Sequence, residues 1–176
     1  LEIGGEPVIE KAFEIPITDH VILGIALDLG IEDHMGIWVF DTKTAKLLPS
    51  DEFRLTDTQS CLYEWGLEHE LAKARRKKKV ETKGVIWNYV RTKVPTVPAL
   101  LQSGELSRRS NIDTDRYTYL KAIKDNGLNP EAYRDFLKTL PDSKNFYHRI
   151  KCPRNPKMIR EVLNNAIVVG ETIYEL

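Results

Sequence analysis

Cysteine is almost missing from this 176-residue chain: Cys61 and Cys152 stand alone. Two isolated cysteines supply no Cys-x-x-Cys zinc pair, no disulfide framework and no four-cysteine iron–sulfur set, so the expected setting is reducing and intracellular. Long apolar runs are missing too. No stretch approaches the roughly 18 residues that would mark a membrane span, and no signal-peptide pattern opens the sequence. Net charge is also absent, Lys+Arg and Asp+Glu numbering 26 each. A neutral total does not exclude a polyanionic partner, because what matters is where the cations cluster. There is no internal repeat and no low-complexity tract.

What is present suits one domain, or one domain with an extension: 41% of residues are hydrophobic and 30% charged. The stretch Ile37-Trp38-Val39-Phe40-Asp41-Thr42-Lys43-Thr44 reads as a strand ending in an acid and a lysine two positions apart. Side chains alternate along a strand, so Asp41 and Lys43 share the face of Ile37 and Val39, and Trp38 and Phe40 take the other. A carboxylate beside a lysine at a strand end suits divalent-metal phosphodiester chemistry; a surface ion pair in a polar turn is the plainer alternative.

Val8 to Ile17 reads as an earlier strand behind a loose lead-in with a Gly4-Gly5 turn, and Val21 to Leu29 as a second, apolar apart from Asp28. A polar turn over 30–36 makes that second strand and the Asp41 strand an antiparallel hairpin, in which Asp28 is expected to approach Asp41. After a connection over 45–54, Thr56 or Asp57 caps one long helix to about Lys79. Cys61, Leu62, Trp65, His69 and Ala72 mark its buried face, and Gln59 and Tyr63 stack one turn apart. Trp65 and Trp87 are read as core rather than as platforms for bases. The helix ends in six cations within Lys73–Lys79, either a solvated face or a phosphate contact. Gly84 to Val90 is a further strand.

Beyond Arg91 the pattern changes to a Pro-containing loop and a second basic group, Arg91, Lys93, Arg108 and Arg109. Helices are expected from Asp113-Thr114 to Asn126 and from Asn129-Pro130 to Leu140, the latter with Tyr133, Phe136 and Leu137 inward. A strand over Lys144–Lys151 and a final helix from Asn155-Pro156 through at least Ala166 complete the chain.

Asp28, then Asp41-Thr42-Lys43, then Gln59-x-x-x-Tyr63 on the following helix resembles the RecB-type branch of the PD-(D/E)XK nuclease superfamily, which includes phage exonucleases and CRISPR adaptation nucleases. The stretches LLQSGELSRR (100–109), IDTDRYTYLKAI (112–123) and NGLNPEAYRDFL (126–137) look like the distal part of phage nucleases of that branch. The resemblance implies an α/β (α+β) fold: a restriction-endonuclease-like core over residues 1–92, with a central mixed sheet flanked by helices, and a mostly helical extension over 93–176. It also implies a helix ahead of the first strand. None fits before Val8, so it is expected upstream of Leu1, or the chain is incomplete as an enzyme.

By that resemblance, Asp28, Asp41 and the Thr42 carbonyl would bind Mg²⁺ or Mn²⁺. Lys43 would orient or deprotonate water, or steady developing negative charge, and Gln59 and Tyr63 would hold the scissile strand. Arg75, Arg76, Lys77, Lys78, Arg91, Arg108 and Arg109 are the expected DNA contacts. The implied activity is metal-dependent DNA hydrolysis, most like an exonuclease of phage-type recombination, repair or processing, acting in the bacterial cytoplasm on single strands or duplex ends with phage or host recombination proteins as partners. A non-catalytic DNA-binding or assembly module of the same fold, and a sequence-specific restriction-type enzyme, are the alternatives.

Overall fold

Alternating burial along three consecutive segments builds the sheet that carries Asp41. In the computed structural model, which describes residues 1–142 and 145–176, the Gly4-Gly5 turn closes a small ribbon of β1 (Glu2–Ile3) and β2 (Glu6–Pro7), both glycines having positive φ. Strands β3 (Ile9–Pro16), β4 (Ile22–Asp33) and β5 (Gly36–Ala45) follow as an antiparallel meander. After helices α1 (Asp51–Leu55) and α2 (Thr58–Ala74) come β6 (Gly84–Arg91), α3 (Arg116–Asp125), a 3-10 turn (Pro130–Tyr133), α4 (Arg134–Thr139), β7 (Tyr147–Pro153) and α5 (Pro156–Tyr174). The five longer strands form one mixed sheet in the order β3-β4-β5-β6-β7, an α+β architecture with helices beside it. Among the described residues, no helix is long and apolar enough to cross a membrane.

The hairpin expected around Asp41 is present, but β4 is longer than its sequence pattern predicts. It runs to Asp33, so Asp28 lies inside the strand rather than at its end. The run Gly30-Ile31-Glu32 stays extended because it is paired to Ile37, Trp38 and Val39. Only the short turn around His34 and Met35 remains, closed by Asp33 Oδ1 accepting from the Met35 and Gly36 amides. The β4–β5 pairing stops at Leu29 opposite Phe40, one step short of Asp28 and Asp41. On β5, Ile37, Val39 and Asp41 are buried, while Trp38 and Phe40 are half-buried beneath Lys151 and Arg149, whose cations stand 5.7 Å and 5.4 Å from the rings.

Helix α2 begins where Asp57 accepts a hydrogen bond from the Gln59 amide, so Asp57 is the cap of the two candidates. It ends at Ala74, five residues short of the sequence expectation. The buried face also differs from the predicted stripe: Ser60, Cys61, Glu64, Gly66, Leu67, Glu68 and Leu71 point inward, Trp65 is half-buried and His69 is exposed. An apolar count misplaces this face because two of its members are glutamates with dedicated partners. Thr82 Oγ1 lies 2.8 Å from Glu64 Oε2 and 2.9 Å from Glu68 Oε1, and the Thr82 amide donates to Glu68 at 2.8 Å. Arg154 closes the cluster on Glu68 with bonds of 2.6 Å and 3.0 Å. At Gly84, φ is +141°, and an added Cβ would stand 2.0 Å from the Cys152 carbonyl oxygen, so only glycine lets β6 start against the end of β7.

The chain divides into two compact units, one of residues Leu1–Lys43, Pro49–Asn88 and Arg149–Leu176, the other of Thr44–Leu48 and Tyr89–His148. In the first, α5 starts at the Asn155 cap as expected and continues to Tyr174, where its ring stacks on His20 at 4.0 Å. In the second, Leu106, Tyr119, Ala122, Ile123, Tyr133 and Leu140 form a separate core, with Phe136 and Leu137 against it, as the sequence indicates. Asp115 caps α3, two residues later than the expected start, because Asp113 is held by Arg91 and Lys93. Strand β7 begins at Tyr147; the expected start at Lys144 lies outside the described residues.

Thr82 Oγ1 has one proton to give and lies within donating distance of both carboxylates, so it serves Glu64 or Glu68 but not both at once. Burial, helped by the Glu68 charge and opposed by Thr82 and Arg154, pushes the Glu64 carboxyl up from 4.5 to about 7. Between those values the native state binds more protons than the unfolded chain, so this group's contribution to stability falls as pH rises through that window and is level above it. Urea unfolding of wild type and Glu64→Gln should show the wild type losing about 3 kcal/mol relative to the variant between pH 4.5 and 7.5.

Candidate active site

Asp41 is the last buried position on its face of β5, and its side chain is 1% exposed. Lys43, two residues on and therefore on the same face, sets its ammonium 3.0 Å from Oδ2 and 3.3 Å from Oδ1; only the Oδ1 approach has hydrogen-bond geometry. Oδ2 is thus buried beside a cation but accepts no hydrogen bond. Burial raises the Asp41 carboxyl pKa first and the Asp28 charge raises it further, while Lys43 and, more weakly, Arg54 pull it back.

Asp28 joins the site through the backbone. Its Oδ2 accepts the Thr42 amide at 2.8 Å, just where the ladder between the two strands has stopped. A side chain here takes an amide that a continued ladder would bond to a carbonyl, and the two strands part beside two carboxylates. Asp28 is exposed and Asp41 buried, so one acid faces solvent and the other the protein interior.

The second half of the site comes from α2. Gln59 donates to Tyr63 Oη at 2.6 Å, and the phenol lies close enough to Asp41 and Asp28 to feel both charges. Burial, then the Asp41 and Asp28 charges, raise the Tyr63 pKa, so the phenol stays protonated. The five sequence-selected residues Asp28, Asp41, Lys43, Gln59 and Tyr63 therefore meet in one place.

Two further residues, Asn88 and Arg54, escape the sequence reading, and Trp87, core as expected, also reaches the site. Trp87, fully buried in β6, presents its ring to Lys43 at 5.5 Å and to the Arg54 guanidinium at 4.6 Å. Asn88 donates to Thr42 Oγ1 at 3.3 Å, and its buried Oδ1 has no partner among the described residues. An asparagine inside the apolar run GVIWNYV was the available signal for it; Arg54, within a connection, gave none.

The basic run is placed elsewhere. Arg75 forms a bidentate pair with Glu32 at 3.1 Å and 2.5 Å, and Lys79 pairs with Glu81 at 2.7 Å. At about 100° per residue, Trp65 lies roughly 160° and His69 roughly 120° around α2 from Tyr63, so the cavity these two line with Arg76, Lys77 and Lys78 is not on the Gln59–Tyr63 face. In the second unit, Arg91 is held by Asp113 through two 2.9 Å bonds, and Arg108 lies 4.7 Å from the Tyr133 ring centroid. Arg109 lines an open cavity with Lys93 and Asn111.

Compared with protein-family models, with curated proteins and with solved structures, the chain matches none. The chemistry has to be judged on the donors present. Among the described residues, no group of three or more His, Cys, Asp or Glu is placed to hold a metal. Two carboxylates and backbone carbonyls fit Mg²⁺ or Mn²⁺, which are held by one or two carboxylates and keep several waters; they do not fit a zinc cage. The unbonded Asp41 Oδ2 is the atom best prepared for such a ligand.

A buried carboxylate whose one close cation is removed becomes expensive. Lys43→Met should cost about 1–3 kcal/mol in the wild type and close to nothing in an Asp41→Asn background. A double-mutant cycle by urea unfolding measures this; equal costs in both backgrounds would show that the pair is not coupled.

Proposed function

We propose that the chain is a divalent-metal-dependent deoxyribonuclease with a restriction-endonuclease-like core of the RecB type, an exonuclease in phage-type DNA recombination, repair or processing in the bacterial cytoplasm. The observation that carries the reading is the meeting of Asp28 and the Asp41–Lys43 pair, where β4 and β5 part, with Gln59 and Tyr63 from α2 over the same point.

On this reading Asp28, Asp41 and the Thr42 carbonyl hold Mg²⁺ or Mn²⁺. The chemistry such a cation supplies when bound is a water of lowered pKa and charge that offsets the phosphate. Lys43, braced between Asp41 and Trp87, would orient that water with its ammonium or steady the negative charge growing on the phosphoryl oxygens. Gln59 and the protonated Tyr63 donate to the backbone of the scissile strand. Arg54, stacked on Trp87, adds positive potential at Asp41.

The alternative, a DNA-binding or assembly module without cleavage, draws on the absence of a third acid among the described residues. Incubating the chain with linear single- and double-stranded DNA in Mg²⁺, Mn²⁺ or EDTA separates the two. We expect shortening from ends that needs the metal and falls by at least about 10²–10³-fold in Asp41→Ala and Lys43→Ala. Metal-independent binding without shortening would establish the module instead.

A further inference from the structure

Beyond the end of α2 the chain turns sharply back. Ala74 is the last helical residue, Arg76 has φ +51°, and the Lys77 amide donates to the Ala72 carbonyl at 2.9 Å. Glycine usually fills this left-handed position after a helix, and an arginine there costs about 1 kcal/mol or more. The reversal carries residues 76–80 past the last turns of α2 and opens a cavity of about 520 Å³, lined among others by Trp65, His69, Lys73, Arg76 and Lys78.

The lining is of two kinds. Trp65 and His69 are four residues apart on one side of α2, with ring centroids 5.5 Å apart and planes tilted by 30°, and both line the cavity. Trp65 is only half-buried and His69 is exposed, so their rings reach the cavity. Lys73, Arg76, Lys77 and Lys78 are all exposed, and among the described residues none of the four forms an ion pair. The acid at the cavity wall, Glu68, is already engaged by Thr82 and Arg154. Cations without counter-ions around two aromatic rings call for a ligand with a planar ring and several negative charges. The volume falls within the ~300–1,000 Å³ usual for small-molecule sites and is far more than a lone phosphate fills.

We propose that this cavity is a nucleotide site: a base seats against Trp65 and His69 while Lys73, Arg76 and Lys78 hold its phosphates. The nucleotide is either free or one unit of a single strand. The site faces away from Gln59 and Tyr63 and does not depend on cleavage at Asp41.

The test is titration of the whole chain, in EDTA and low salt, with adenosine triphosphate, inorganic tripolyphosphate and a ten-residue oligothymidylate, followed by tryptophan fluorescence and calorimetry. EDTA keeps the result independent of any hydrolysis, so an inactive Asp41–Lys43 pair would leave it unchanged. Adenosine triphosphate should quench fluorescence and bind about tenfold or more tightly than tripolyphosphate, the margin expected from base stacking. Lys73→Glu with Lys78→Glu, both exposed positions, should weaken it at least about tenfold with an unchanged melting temperature. Trp65→Phe should retain binding but lose most of the quenching, and Trp65→Leu should lose binding. Tighter binding of adenosine triphosphate than of the oligonucleotide identifies a free nucleotide, and the reverse identifies a strand. Equal affinity for adenosine triphosphate and tripolyphosphate, or an affinity untouched by the charge reversals, would overturn the proposal.

Discussion

Asp41 carries a carboxylate into the interior, on the face of Ile37 and Val39, where water does not reach it. Left alone, such a charge would be neutralised or expelled. Here Lys43 lies against it, Trp87 lies beside the ammonium, and Arg54 lies against the same indole. Each of these placements needs another: Trp87 needs β6 beside β5, and Arg54 needs the short helix ahead of α2. The compensation is incomplete, since one carboxylate oxygen has no hydrogen bond. A fold selected for stability alone would place an apolar residue there.

Helix α2 has three polar commitments at three angles. One side brings Gln59 and Tyr63 to Asp41, a second buries Glu64 and Glu68 against Thr82 and Arg154, and a third offers Trp65 and His69 to the basic turn. Cys61, Leu67 and Leu71 supply the apolar part of its buried face. Its buried face is specified by hydrogen bonds as much as by hydrophobicity. A shift of the helix along its axis would break the pairings with Thr82 and carry Gln59 and Tyr63 away from Asp41.

The elements in the sequence were readable where one physical signal dominated. Asp57, Asn129 and Asn155 announced helix starts by capping, and alternation of Ile37, Val39 and Asp41 against Trp38 and Phe40 gave the faces of β5. The constellation of Asp28, Asp41, Lys43, Gln59 and Tyr63 was legible because its members lie within consecutive elements. Legibility failed where long-range partners decide. Nothing local marks Glu64 and Glu68 as buried, since Thr82 and Arg154 reach them from distant segments, and the apolar pattern puts His69 and Trp65 inward instead. The continuation of β4 past Asp28 depends on cross-strand bonds that no local composition announces, and Lys77–Lys79 continued a helical pattern that the left-handed Arg76 cuts short.

Gly84 has a consequence for how this chain tolerates change. Its backbone touches the Cys152 carbonyl with no room for a methyl group, and the neighbouring Lys83 carbonyl accepts the Arg154 amide at 3.0 Å. Thr82 and Arg154, the two ends of the buried glutamate cluster, are therefore held in register by main chain rather than by their own side chains. The cluster can be rewritten chemically, with amides for carboxylates or an altered proton count, while the two strands stay in place. A single carbon atom added at residue 84 would do the opposite, leaving every charge intact and moving the frame that holds them.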